Sequence, residues 1–243
     1  EIYQCDWSSD VCSSDLNKRR MNHPLRTVCF AELVTSNEEA AKEYYGDLFD
    51  WTTLDVLSTS GPYALFQGKG GTVAGLRHAE GREQQWIPYV AVDDIAETLL
   101  QASALGARVV DVPFDIPGMA RMATFADPTG AVLGLWQANG SEGADVQDAA
   151  NSLWWVELLT RDAAAARAFY ATLFGWDFRE RRYHHLKFPY GVFTVGDQPA
   201  SGLGTIEPEW EGAVEHWSLL FAVNNADAIK KMVKDWQADD LRA

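Results

Sequence analysis

The chain has 243 residues, enough for one large or two ordinary domains, and its 47% apolar content, with 10 Trp, 8 Tyr and 11 Phe, is ample for packed cores. A net charge of −15 and a pI near 4.6 argue against a nucleic-acid partner, which needs a basic face; an acidic surface keeps a protein soluble and tolerates cationic small molecules. No apolar run approaches the ~18 residues of a membrane span and no signal peptide is visible, which leaves the cytoplasm as the expected compartment.

Residues 1–20, EIYQCDWSSDVCSSDLNKRR, carry no apolar period. DVCSSDL (10–16) resembles a translated sequencing adapter, and Met21 offers a natural start, so a non-native leader is expected. Cys5 and Cys12 fall inside it, which removes a disulfide or metal reading and leaves Cys29 alone.

RTVCFAELVT (26–35) reads as a mostly buried strand. Asn37 then caps a helix with Glu38 and Glu39 in its first turn, where acids suit the dipole. Ala40/Ala41, Tyr44/Tyr45 and Leu48/Phe49 recur at four-residue spacing as one apolar stripe. Three strands follow: one opening at Trp51, then YALFQG, then TVAGLRH after the Gly68–Gly71 hairpin turn. This is a β-α-β-β-β unit. After the polar linker 79–85 the pattern repeats: a strand over 86–92, a helix capped by Asp93 or Asp94 and stopped at Gly106, a strand followed by a loop in ARVVDVPFDIPG, the strand MARMATFA, a DPTG turn and the strand AVLGLWQ.

Residues 139–151 are small, polar and acidic and read as an interdomain linker. Then AELVTSNEEAAKEYYGDLFDW (31–51) returns as VELLTRDAAAARAFYATLFGW (156–176), at a constant offset of 125 residues. A repeat this long marks a duplicated unit. Asp162 caps the third helix, and strands are expected near 177–182, 186–188, 192–195 and 203–206. A fourth unit begins with a strand over 216–223, a cap at Asn224 or Asn225 and a helix over 226–236; the chain then stops three strands short, so the second domain (152–243) reads as incomplete beside the first (26–138).

Tandem β-α-β-β-β units, an FY-xx-LFGW helix exit and a DPTG hairpin resemble the vicinal oxygen chelate superfamily, the glyoxalase, bleomycin-resistance and extradiol-dioxygenase group. The resemblance covers 26–243 and is nearest to a two-domain actinobacterial branch labelled "hydroxylase" or "27-kDa antigen", through W-x-EL-x-T at Trp155 and FY-xx-LFGW up to Trp176. It implies an α+β fold in which paired units form half-closed eight-stranded sheets, with helices outside and a ligand pocket on the concave face. Metal-using members carry a His or Gln on the first strand of each unit and a Glu on the last. Here those positions fall on Phe30, Ile87, Trp155 and Ser218, and on Gly75, Gly134 and Gly202, none of which ligates a metal. No metal triad and no cofactor are expected.

Strand alternation puts Glu32 on the face of Phe30, and Glu157 on that of Trp155. A carboxylate on an aromatic concave face is desolvated, and it then acts as an acid or base or binds an amine. The alternative is structural, with Glu32 paired to Arg77 on the last strand of its unit. Tyr63, Tyr89 and Trp136 also point inward, either as ligand contacts or as core. Arg121 is a weaker candidate for a ligand carboxylate. His184 and His185 are adjacent and would face opposite ways on a strand; His23, His78 and His216 are scattered. QGKGG lacks phosphate-loop spacing, and no GxSxG is present. The sequence therefore points to binding of a small organic ligand. The rivals are an enzyme, acting through Glu32 or Glu157 or through an unidentified metal, and a drug-sequestering protein. A second copy of the chain is the one protein partner left open.

Overall fold

The computed structural model describes residues 23–82, 84–181, 190–207 and 209–240. The first unit comprises β1 (Val28–Thr35), α1 (Glu38–Phe49), β2 (Thr52–Val56), β3 (Tyr63–Gly68) and β4 (Gly71–His78). The second comprises β5 (Gln85–Ala91), α2 (Ile95–Ala104), β6 (Arg108–Ile116), β7 (Ala120–Ala126) and β8 (Val132–Ala138). The third follows as β9 (Ser152–Thr160), α3 (Ala163–Phe174), β10 (Asp177–Arg181), β11 (Tyr190–Val195) and β12 (Gln198–Thr205), and a fourth opens with β13 (His216–Ala222) and α4 (Ala226–Asp240). The strand expected over 186–188, with His184 and His185 before it, lies outside the described residues.

Each helix starts where the sequence places a cap. The side-chain oxygens of Asn37, Asp94, Asp162 and Asn225 accept from the backbone N–H three residues on, at 2.9–3.1 Å. Such a cap contributes about 1 kcal/mol. Of the paired alternatives, Asp94 and Asn225 perform the capping.

The first two units merge into one eight-stranded sheet, β2-β3-β4-β1-β5-β8-β7-β6. Its centre is the antiparallel β1–β5 pair, and each unit's last strand lies parallel to its first. The two edges of the curled sheet are bridged: Thr59 N donates to Asp115 O at 3.0 Å, and Asp115 N to Thr59 Oγ1 at 2.8 Å. The second half builds a smaller, five-stranded sheet, β10-β11-β12-β9-β13. An α+β fold with a larger curled sheet and a second, smaller one is the expected architecture.

Two cores result. One lies between the halves, where α1, α2 and α3 are held against the convex faces of both sheets and share a single apolar cluster. The other fills the concave face of the first sheet. The halves are also locked by matched hydrogen bonds. Trp51 Nε1 donates to Asn151 O at 2.9 Å, and Trp176 Nε1 to Arg26 O at 2.7 Å. The two tryptophans stand 125 residues apart, as do Arg26 and Asn151, and both acceptor residues are left-handed, with φ of 67° and 60°. The repeat thus extends to the interface between its own copies.

Residues 139–151 do not run free. Ala144 N donates to Cys29 O at 2.9 Å, Asp145 N to Thr72 O at 2.8 Å, and Trp136 Nε1 to Ser141 O at 3.0 Å. This strap seals one end of the first sheet over Cys29, which is fully buried and whose thiol is pushed up by that burial. Iodoacetamide is expected to alkylate Cys29 only after denaturation, read by peptide mass spectrometry. Rapid labelling in native buffer would show that the strap opens.

Candidate functional site

β1 carries Phe30 and Glu32 onto the concave face, and β4, β5 and β8 bring Arg77, Tyr89 and Trp136 to meet them. Glu32 is 0% exposed. Its Oε2 accepts from Arg77 Nε at 3.0 Å and from Tyr89 OH at 2.8 Å. Its Oε1 is buried with no hydrogen-bond partner among the described residues. Arg77 continues outward: Nη2 donates to Asp111 Oδ2 at 2.9 Å, and Asp111 also accepts from Thr124 Oγ1 at 2.6 Å and from Arg82 Nη1 at 2.8 Å. The guanidinium stacks over Phe114 at 5.2 Å. An ionic chain therefore runs from the interior to the half-buried Arg82.

The electrostatics follow from this geometry. Burial opposes the charge on Arg77, but Glu32 and Asp111 more than offset it and hold the guanidinium protonated. Burial beside Glu32 pushes the hydroxyls of Tyr63 and Tyr89 well above the ordinary tyrosine range, so both stay neutral donors. Burial raises Asp111, yet hydrogen bonds from Arg77, Thr124 and Arg82 bring it below the usual carboxylate range. A carboxylate bonded to a guanidinium and shielded from water has no access to a substrate proton. The pairing of Glu32 with Arg77, one of the two sequence alternatives, is the arrangement present.

Phe30, Tyr63, Tyr89 and Trp136 are at most 3% exposed. They form the closed core of the concave face, with the Phe30 and Trp136 rings 4.6 Å apart. The glycines explain how they fit. A Cβ on Gly75 would lie 2.2 Å from Tyr63 OH, and one on Gly134 would lie 2.3 Å from the Tyr89 ring. At each last-strand ligand position, a tyrosine from a neighbouring strand takes the volume that a metal-binding side chain would need. Phe30 and Ile87 supply no donor at the first-strand positions. Among the described residues no three His, Cys, Asp or Glu side chains gather as a metal site requires. The residues at the family positions do not fit a metal ion.

The second half repeats the pattern with two changes. β9 carries Trp155 and Glu157, and Gly202 lies beside Glu157 as Gly75 lies beside Glu32. A Cβ on Gly202 would collide with Tyr190 OH. Tyr190 OH donates to Glu157 Oε2 at 2.6 Å and accepts from Trp155 Nε1 at 2.8 Å. The face is half-exposed at Trp155, Glu157, Ser218 and Leu220. The counterpart of Arg77 is Gly204: Arg77 pairs with Val34, and Gly204 with Leu159, which is Val34 displaced by 125 residues. Tyr89 is likewise replaced by Leu220, each opposite the aromatic of the neighbouring first strand.

The remaining candidates lie apart from both carboxylates. Arg121 is on the surface, 3.8 Å from Asp115. His78 sits 3.4 Å from Glu38 and Glu80, His216 bonds Val214 O, and buried His23 bonds Ala144 O. A groove of about 970 Å³ runs between α1 and β13–α4, bounded by Tyr45, Phe49, Trp86, Phe221 and Asn225. On the other side of the molecule the equivalent space is taken by the β7–β8 hairpin, where Asp127 accepts from Tyr170 OH at 2.7 Å. Asp111, Arg82, Thr124 and Tyr190 were not singled out from the sequence. An aspartate inside the apolar run of β6 was the available signal for the first, and the recurrence of Tyr63 at Tyr190 for the last.

Residues 20–135 match the model of the Glyoxalase/Bleomycin resistance protein/Dioxygenase superfamily. With the relatives below, this shows that the chain belongs to that superfamily. "Putative glyoxylase CFP32" of Mycobacterium tuberculosis is 34% identical over 217 residues, covering 86% of this chain and 82% of that protein. "Anthracycline biosynthesis protein DnrV" of Streptomyces peucetius is 34% identical over 215 residues, covering 81% and 77%. Among solved structures, the Mn(II)-bound glyoxalase from Novosphingobium aromaticivorans superposes with a TM-score of 0.59 at 13% identity, over 88% of this chain and 71% of that one. The halotolerant catechol dioxygenase BphC superposes at 0.51 and 17% identity, over 90% and 77%. These likenesses establish the fold. No described helix is long and apolar enough to cross a membrane.

Proposed function

We propose that this protein binds a small organic molecule on the concave face of its second half, over Trp155, Tyr190 and Glu157, without the metal triad of its superfamily. The observation that carries this reading is the contrast between the two repeats. Glu32 is neutralised, sealed and surrounded by core, whereas Glu157 lies on a half-exposed face, held by a tyrosine that an indole N–H orients. The first half then serves as the scaffold and the second as the binding face. Phe30, Tyr63, Arg77, Tyr89 and Trp136 support the site by filling the first sheet, and Glu32 contributes stability rather than chemistry. An aromatic wall with one fixed carboxylate suits a planar body carrying a polar group. The two Streptomyces relatives are named for anthracycline biosynthesis, which makes an anthracycline the natural first probe.

The test is titration with daunorubicin, followed by fluorescence quenching and thermal shift, with elemental analysis of the same preparation. Saturable binding is expected. It should weaken at least tenfold in Trp155→Ala and in Glu157→Gln, stay unchanged in Glu32→Gln, and survive chelation, in protein with less than 0.1 equivalent of transition metal. Stoichiometric Fe, Mn, Ni or Zn in the purified protein, or loss of binding on chelation, would overturn the metal-free reading.

A further inference from the structure

We infer that the second-half site selects an organic cation, and that the ligand's ammonium, amidinium or guanidinium group takes the place that Arg77 fills in the first half. The inference rests on the reading of that face as the binding site and adds the charge of its ligand.

The two halves are copies, and the first shows what this carboxylate position recognises. There Glu32 lies beside Gly75, a tyrosine from the adjacent strand fills the space over the glycine, and a guanidinium two residues further along β4 donates to the carboxylate at 3.0 Å. In the second half the carboxylate, the glycine and the tyrosine are all retained, as Glu157, Gly202 and Tyr190. The cation is deleted, because the equivalent residue is Gly204, and the second donor Tyr89 is replaced by Leu220. A Cβ built on Gly204 would lie 2.7 Å from Leu159 Cδ2 and within 4 Å of nothing else, so a side chain enters once that flexible leucine end swings aside. None of the ion pairs among the described residues involves Glu157. Among the described residues Glu157 is bonded by the neutral Tyr190 hydroxyl and by no cation, and a half-buried carboxylate so placed beside an indole attracts a cation by charge and by the π-face together. The net charge of −15 adds long-range attraction of the same sign.

A matched trio of probes tests this, with one aromatic body and three charges: 2-naphthylmethylammonium, 2-naphthalenemethanol and 2-naphthoate, each titrated calorimetrically into the full chain. The amine is expected to bind at least tenfold more tightly than the alcohol, and the carboxylate not measurably. Glu157→Gln should bring the amine to the level of the alcohol. Gly204→Arg should supply the missing guanidinium from within and abolish amine binding, while its circular dichroism and Tm match or exceed those of the parent. Equal binding of all three probes, lost in Trp155→Ala, would overturn the cation inference and leave the small-ligand reading standing. Undiminished amine binding in folded Gly204→Arg would overturn it too. Failure of all three probes together with daunorubicin would overturn both.

Discussion

Gly134→Glu, which writes the superfamily's last-strand ligand back into β8, is expected to disrupt the first half rather than create a metal site. A Cβ there already falls 2.3–2.5 Å from three atoms of the Tyr89 ring, and Tyr89 is 0% exposed and bonded to Glu32. A packed ring cannot withdraw as a flexible chain end does. Overpacking of this kind costs about 1–3 kcal/mol, and burying a further carboxylate without a partner adds several more. A combined loss of ~5 kcal/mol corresponds to a fall in Tm of roughly 10–20 °C for a protein of this size. Gly134→Glu combined with Tyr89→Ala should recover part of the loss, because the ring is what the new side chain strikes. Near-native stability in the single variant, with a tightly bound equivalent of Mn or Zn, would show that the socket is not filled as described.

The second large effect belongs to Arg77→Met. It removes the cation from Glu32 and a donor from Asp111, leaving a fully buried carboxylate with only Tyr89 among its identified hydrogen bonds. Breaking a buried pair from one side costs about 3–5 kcal/mol. Replacing both members by apolar residues, Glu32→Leu with Arg77→Met, should cost much less than the single change, since no orphaned charge remains. Urea denaturation of the three proteins checks this, and a single variant within 1 kcal/mol of the parent would refute it. Asp111 adds a pH signature. Its folded pKa is depressed, so its contribution is present above the ordinary aspartate value of about 4 and is lost as pH falls through the lower folded value. The parent should therefore lose stability on acidification below about pH 4 more steeply than Arg77→Met, which has less of that stabilisation to lose.

Glu32 and Glu157 show how far local reading reaches. Strand alternation placed both carboxylates on the concave faces, and the repeat made them equivalent, because side-chain direction along a strand has a period of two regardless of context. The same reasoning named Arg77 as the partner of Glu32, from the inward face of the last strand. It could not show that Phe30, Tyr63, Tyr89 and Trp136 close on one another as core. Whether four inward aromatics line a pocket or fill it depends on sheet curvature and on the volumes facing them, and neither is a property of one strand. Asp111 and Arg82 escaped for a related reason. Asp111 meets Arg77 across 34 residues of chain and Arg82 across 29, through pairings that exist only once the sheet has curled.

The sequence by itself determined the units, their duplication, the helix caps and the absence of ligating side chains at Phe30, Ile87, Gly75 and Gly134. All of these depend on periodicity, propensity and residue chemistry, which are local. The tertiary structure alone decided that the two halves of one repeat differ in kind. The first is sealed by a strap and a guanidinium, and in the second, among the described residues, Glu157 is part-exposed with a glycine where the arginine would stand. That difference rests on packing and charge compensation between strands distant in sequence, and it is what turns two similar glutamates into a structural ion pair and a candidate binding group.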